Sequence, residues 1–330
     1  MKKRFVSIDN LKGILTLLVI FGHVTVGLGG LAHGIYSMAT SVQKISTVIY
    51  AVHMPLFFAV SGFFWKEKGK ISIKDRALII KNKTIAIALP YLLCSVAYFF
   101  VKYAVSSFTV ADVTWNSLIE IPIRPIEFFW YLYSLYTITI LAELLDALGV
   151  KKQIVLIIWA IVALNNFVYT DFMSLYKTAE NAVYFYVGSV AFDYKEQLSK
   201  WKMIGVTGVC TLVFFWRYLN IYEAYHIGTH FLLCVSIIGL IIGLSLRFLE
   251  KELKYVTYIG NNSMPFYIIH VIFVGGIRII LYRMGIADVM TQVLVGFVGS
   301  TIITYVLYRF ILSKVKCIDF MFYPAKYLNK

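Results

Sequence analysis

Apolar residues run along this chain in long blocks, separated by short stretches that carry most of the charge. At about 20 residues for ~30 Å of hydrocarbon, the pattern predicts spans at approximately 11–30, 45–65, 84–105, 126–146, 152–170, 180–192, 203–220, 229–249, 261–282 and 290–312. The expected fold is all-α: a polytopic integral membrane protein of about ten transmembrane helices. The sixth block, 180–192, is short enough to be re-entrant or interfacial, and its loss would invert the orientation of everything after it.

The basic residues test that count. With both termini cytoplasmic, 23 of the 31 Lys and Arg fall on the inner side: Lys2, Lys3 and Arg4, the 66–83 loop, Lys151 and Lys152, and the 195–202, 247–254 and 309–330 stretches. The outer side receives Lys44, Lys102, Arg124, Lys177, Arg217 and Arg283, while Lys12 and Arg278 lie near or within spans. Every inner loop then obeys the positive-inside rule, which supports the short sixth span.

Composition agrees. A chain with 60% hydrophobic residues, 15% charged residues and mean hydropathy +0.78 is too apolar for a soluble domain. The net charge of +14 sits in loops rather than on one face or in a basic-aromatic motif, which argues against nucleic acid. Cys94, Cys210, Cys234 and Cys317 show no metal or redox spacing and read as packing residues. Asp9 and Lys12 precede the first apolar run and no small-residue cleavage site follows it, so it reads as an uncleaved helix. No repeat or separate soluble domain is visible, and residues 1–330 read as one membrane domain.

Three of the six histidines, His23, His53 and His270, lie inside apolar blocks. His23 shares a helical face with Lys12, ~16 Å along the axis. With the second helix descending and the ninth rising, His53 lies ~12 Å below the outer boundary and His270 ~14 Å above the inner one. Each alone reads as a hydrogen-bonded packing histidine. Three ionisable groups at one depth mark a site. An imidazole takes a proton from a hydroxyl or carries an acyl group, whereas Lys12 supplies a fixed charge, with Asp9, three residues before it, placed to cap the helix start and pair with it. No paired carboxylates, phosphate-cradling glycine loop or metal-ligand spacing is present, so acyl transfer fits better than hydrolysis, and no metal is expected.

The run Ile8-Asp9-Asn10-Leu11-Lys12-Gly13 leading to Phe21-Gly22-His23 resembles the first helix of the acyltransferase type 3 family of integral membrane acyltransferases, especially the branch related to fucose 4-O-acetylases. So do His53-Met54-Pro55-Leu56-Phe57-Phe58 with Ser61-Gly62-Phe63, Trp130-Tyr131-Leu132, and Gly260-Asn261-Asn262-Ser263-Met264 with Tyr267 and His270. The resemblance covers the chain from end to end and implies a ten-helix core. It departs at Lys12, where many members carry arginine, and a lysine keeps the charge without the planar fork. The stretch before the third helix is arginine-rich in many relatives and here reads Arg76, Lys81 and Lys83.

The resemblance implies an O-acyltransferase of the bacterial cytoplasmic membrane that moves acetyl from acetyl-CoA, its cosubstrate, to a hydroxyl of a sugar in a surface polysaccharide or its lipid-linked precursor. The catalytic candidates are His23 and His53, with His53 orienting His23 or sharing its proton. Asp9, Lys12, Ser61, Trp130 and His270 support them. Lys12, Arg76, Lys81 and Lys83 are the candidates for holding coenzyme A, against the bland alternative that the 66–83 cations only set topology or touch anionic lipid. Ser61-Gly62 also suits close helix packing, and Trp130 also suits an aromatic belt. Arg278 reads as snorkelling or paired, and His33, His226 and His230 receive no role. The alternative function is a proton-coupled transporter or flippase of a lipid-linked sugar or small solute, though no repeated halves support it. An oligomer is left open, with nothing in the pattern to support one.

Overall fold

The computed structural model describes residues 4–30, 40–105, 114–165, 167–170, 172–220 and 227–328. His33, His226, Lys2, Lys3 and Lys330 lie outside the described residues. In chain order the α-helices are α1 (Val6–Gly30), α2 (Thr40–Phe63), α3 (Ile73–Lys83), α4 (Leu89–Ala104), α5 (Trp115–Glu120), α6 (Trp130–Ala147), α7 (Lys152–Asn165) and α8 (Leu175–Asp193). They continue as α9 (Lys195–Leu198), α10 (Trp201–Asn220), α11 (Ile227–Phe248), α12 (Lys254–Asn261), α13 (Ser263–Arg283), α14 (Val289–Phe310), α15 (Lys316–Phe322) and α16 (Ala325–Leu328). No strand occurs among the described residues.

Each of the ten apolar blocks is helical, and eight helical stretches are long and apolar enough to cross a bilayer. The two that fall short do so for opposite reasons. Helix α7 is apolar but has 14 residues, about 21 Å at 1.5 Å per residue. Helix α8 has 19 residues but carries Lys177 and Glu180 near its start, and its Asn181 to Tyr186 stretch is buried. The outer surfaces suit lipid: α7 exposes Ile154, Ile157, Ile158 and Ile161 at helical spacing, and α10 exposes Val206, Val209, Leu212, Val213 and Trp216. The chain is an all-helical polytopic membrane protein.

Contacts divide into two compact units, Met1–Ser61 with Ala191–Lys314 and Gly62–Val190 with Val315–Lys330. The division passes through α2 and α8, so neither unit is a continuous stretch of sequence.

In the first unit α1 packs against α11, α12, α13 and α14. Ile20, Val24 and Leu28 meet Val274 and Val293 in a buried apolar cluster. Nearer its start, α1 approaches α12 backbone to backbone. A methyl group at Gly13 would run into the carbonyl oxygen of Val256, and one at Gly260 into that of Asp9. Asn10, wholly buried, fastens the same junction: its Nδ2 donates to the carbonyls of Leu249 (3.0 Å) and Lys251 (2.8 Å), and its Oδ1 accepts from the Thr257 hydroxyl. With all these groups paired, the junction buries polar atoms without the usual penalty. Helix α13 starts afresh at Ser263 because Pro265 has no N–H to extend α12. At the break, the Asn262 side chain donates to the Tyr258 carbonyl at 2.8 Å and accepts from the Tyr308 hydroxyl at 3.3 Å.

In the second unit, α3 and α4 are joined through a π-helical turn, Thr84–Ala88. Pro90 cannot donate to the residue four before it, and the chain widens to let Leu89 N–H reach Thr84 O instead. The loop before α3 is held by a buried charge network. Glu143, with no exposed surface, accepts from Trp65 Nε1 (3.0 Å), Lys68 Nζ (2.6 Å) and Arg76 (2.9 Å). Asp146 accepts from Arg76 (2.7 Å) and from the backbone N–H groups of Lys68 (3.0 Å) and Gly69 (3.2 Å), the latter in a left-handed turn at φ 61°.

Candidate active site

The site is assembled in the first unit from α1, α2 and α13. His23 on α1 is in ring contact with His270 on α13, at 5.1 Å between centroids. Tyr50 on α2 lies edge-on to both His23 (6.3 Å) and His53 (4.9 Å), one turn before the latter on its own helix. Gly22 makes room for it, since a methyl group there would sit 3.2 Å from the Tyr50 ring. The contacts thus run in a line from His270 to His23, from His23 to Tyr50 and from Tyr50 to His53, through a tyrosine that sequence reasoning passed over.

Two of these imidazoles are locked by their own helices. His53 Nδ1 lies 2.6 Å from the Ile49 carbonyl and His270 Nδ1 lies 2.8 Å from the Phe266 carbonyl. A carbonyl oxygen only accepts, so each ring carries its proton on Nδ1 and keeps a lone pair on Nε2. His53 is 3% exposed and His270 has no exposed surface, whereas His23 is half-buried. In His270 the Nε2 atom is buried with no hydrogen-bond partner. The result is a set of proton-accepting nitrogens inside spanning helices.

Toward the start of α1, Lys12 Nζ lies 3.6 Å from Asp9, which also accepts from Arg4 Nε at 3.0 Å. That hydrogen bond holds the Arg4 guanidinium above its ordinary pKa. The expected pairing of Asp9 with Lys12 is present, but Asp9 does not cap the helix: α1 begins at Val6, which puts Asp9 inside its first turn. An acidic side chain there still complements the positive end of the helix. Ser61, two turns beyond His53 on α2, donates to the Phe57 carbonyl at 2.9 Å, a bond inside its own helix. Trp130, at the start of α6, lies 5.6 Å beneath the Lys177 ammonium in a cation–π contact.

The expectation for Arg76 needs correction. It is buried, and its guanidinium donates to Glu143, Asp146 and the Gly69 carbonyl (2.7 Å). A cation neutralised inside the protein is not one that attracts a cytosolic polyanion. Lys68, too, pairs with Glu143, while Lys66, Lys70, Lys74 and Lys81 of that stretch are exposed and Lys83 is half-buried. Glu143 and Asp146 were the overlooked signal: two acidic residues three apart on an otherwise apolar helix demand partners.

A family model described as an acyltransferase domain matches residues 5–309, which include His23, Tyr50, His53 and His270. The chain belongs to that acyltransferase family. Over 144 residues it is 29% identical to the nodulation protein NolL of Mesorhizobium japonicum, a match covering 43% of this chain and 36% of that one, so the chain aligns to about a third of the relative's length. No solved structure matches. The match takes in residues of both compact units but not the Val315–Lys330 segment of the second, and His23, His53, Trp130 and His270 all fall within it.

Proposed function

We propose that this protein is a membrane O-acyltransferase that transfers acetyl from acetyl-CoA to a hydroxyl of a sugar in a cell-surface polysaccharide or its lipid-linked precursor, in the cytoplasmic membrane of a bacterium. The observation that carries the chemistry is the gathering of His23, His53 and His270 inside spanning helices of an acyltransferase domain. The acetyl donor and the sugar acceptor follow from the likeness to the fucose 4-O-acetylase branch.

In this reading His23 is the general base. It takes the proton of the acceptor hydroxyl as that oxygen attacks the thioester carbonyl carbon. The carbon–sulfur bond breaks, and the proton passes to the departing thiolate, giving the ester and free coenzyme A. Tyr50 walls the site between His23 and His53. His53, fixed as an Nε2 acceptor, shares the proton-handling role. Lys12 is a supporting cation tied to Asp9. Phosphates of the donor fall to the exposed cations Lys70, Lys74 and Lys81 together with Lys83, by electrostatic attraction.

Both termini are placed in the cytoplasm. That placement is supported by the loop charges and does not depend on α7 and α8, because removing both adjacent helices from the count leaves its parity unchanged.

The test is release of free thiol from acetyl-CoA by the purified protein in lipid nanodiscs, with His23→Ala beside wild type. His23→Ala is expected to insert and fold and to lose ~10² to 10⁴ in rate, the scale of general acid–base catalysis. A folded His23→Ala that turns over thioester near the wild-type rate sinks the assignment. Wild-type protein that consumes no thioester but moves protons with a solute would favour the transporter.

A further inference from the structure

We propose that His270 is the positioning residue of the site: it accepts an N–H from His23 and so fixes which nitrogen of His23 faces the substrate. The proposal rests on the reading of His23 as general base.

Three observations lead to it. First, the tautomer of His270 is set by its own helix, because Nδ1 donates to the Phe266 carbonyl at 2.8 Å, leaving Nε2 as an acceptor. Second, that Nε2 is completely buried with no hydrogen-bond partner. Buried polar atoms of this kind are few in folded proteins, and an unmet one costs about 1–3 kcal/mol, so its persistence asks for a donor that arrives in the working state. Third, the neighbouring ring is His23. A ring nitrogen sits about 1.2 Å from its centroid, so an in-line N–H···N bond of about 2.9 Å holds two imidazoles with centroids about 5 Å apart. The His23–His270 spacing is 5.1 Å, with the planes at 56°. The centres are already at the separation such a bond requires, and with His270 held by the Phe266 carbonyl it is the His23 ring that turns to close it.

The consequence is chemical. Which of an imidazole's two nitrogens carries the proton is set by the hydrogen bonds the ring makes, and a base must present its lone pair on the side of the substrate. An acceptor held in a fixed place favours the tautomer that does so. A buried orienting group behind the catalytic histidine performs this task in acyl-transfer triads, where its removal lowers kcat through the wrong tautomer. Here a second histidine would do so, held by a helix carbonyl.

Side-chain isosteres separate the role from packing. His270→Gln places an amide oxygen near the position of Nε2, whereas His270→Asn keeps an amide near Nδ1 and the Phe266 carbonyl and has nothing at Nε2. In nanodiscs, with ¹⁵N-labelled histidine, the His23 ring of wild type and His270→Gln is expected to show one protonated and one unprotonated nitrogen, and that of His270→Asn a shifted balance between the two tautomers. In thiol release, kcat should fall about 10²-fold for His270→Asn, with donor KM changed less than about threefold, and His270→Gln should recover at least about tenfold of the loss. An unaltered His23 tautomer in His270→Asn, or His270→Gln no better than His270→Asn, overturns the proposal. Should wild type consume no thioester, the acyl-transfer reading falls, while the nitrogen spectra still decide whether His270 orients His23.

Discussion

Replacing Arg76 by methionine distinguishes a structural arginine from a donor-binding one, and its cost can be worked from the structure. The side chain is 9% exposed and bonds two carboxylates whose side chains are 0% and 4% exposed. After the change Glu143 retains Trp65 Nε1 and Lys68 Nζ, and Asp146 retains the N–H groups of Lys68 and Gly69. Two buried negative charges would then face one ammonium. Breaking a buried ion pair by removing one partner costs about 3–5 kcal/mol, and because both carboxylates keep two donors each, the lower end, about 3 kcal/mol, applies. That corresponds to a melting temperature lower by roughly 5–10 °C. The assay is thermal unfolding of purified protein, followed by fluorescence, since Trp65 reports on the network. Adding Glu143→Gln and Asp146→Asn should restore about half of the loss, because the orphaned charges are gone. The reasoning is refuted if Arg76→Met melts like wild type while donor KM rises severalfold, which would return Arg76 to the donor site.

Gly260→Ala should destabilise the protein by about 1–3 kcal/mol, since the new methyl meets the Asp9 carbonyl, whereas Gly205→Ala on α10, with nothing within 4 Å, should melt no lower than wild type; equal melting of the two would show that α1 and α12 do not need their close approach. Asp288 caps α14 by accepting from Thr291 N–H at 2.7 Å, which holds its carboxyl below the ordinary range. The cap's charge-dependent share of stability is therefore complete above the unfolded pKa, about 3.9, and fades as pH falls through the lower folded value; Asp288→Asn should remove that acid-side dependence in melts taken from pH 2.5 to 6, and an unchanged pH profile would count against the cap. Cysteines introduced at Lys70 and Arg124 of a cysteine-free protein should be labelled from opposite sides, Lys70 from the cytoplasm; labelling from one side would break the topology.

The fold was legible where one number per residue suffices. Hydropathy found ten helical blocks because a helix facing lipid must be apolar along its length, as α10 and α11 are. It caught only the 180–192 part of α8, because Lys177 and Glu180 lower the apolar signal at its start while its Asn181 to Tyr186 stretch is buried in the protein; burial by neighbours leaves no local mark. The histidines behaved similarly. Counting residues from a helix end gives depth, and depth brought His23, His53 and His270 together, but it carries no azimuth, so Tyr50, on the same helix as His53, went unseen. For Arg76 the sign of the charge was visible and its destination was not, because Glu143 and Asp146 lie 67 and 70 residues further along.

The segment from Ile8 to His23 shows why a motif by itself is a poor guide to chemistry. Its residues divide between two tasks that the sequence presents as one. Asn10 and Gly13 serve architecture: the first satisfies the Leu249 and Lys251 carbonyls in the loop between α11 and α12, and the second admits the Val256 carbonyl against the α1 backbone. His23, fifteen ångströms further along the same rigid helix by the rise of ~1.5 Å per residue from Gly13, meets His270. The tasks are mechanically linked, since α12 leads through the break at Asn262 directly into α13, the helix that carries His270. Whatever fixes α1 against α12 therefore also fixes His23 against His270. Loss of activity in an Asn10 or Gly13 variant would then report a displaced imidazole pair, and the distinguishing measurement is stability: such variants should lose melting temperature and rate together, while His23→Ala loses rate alone.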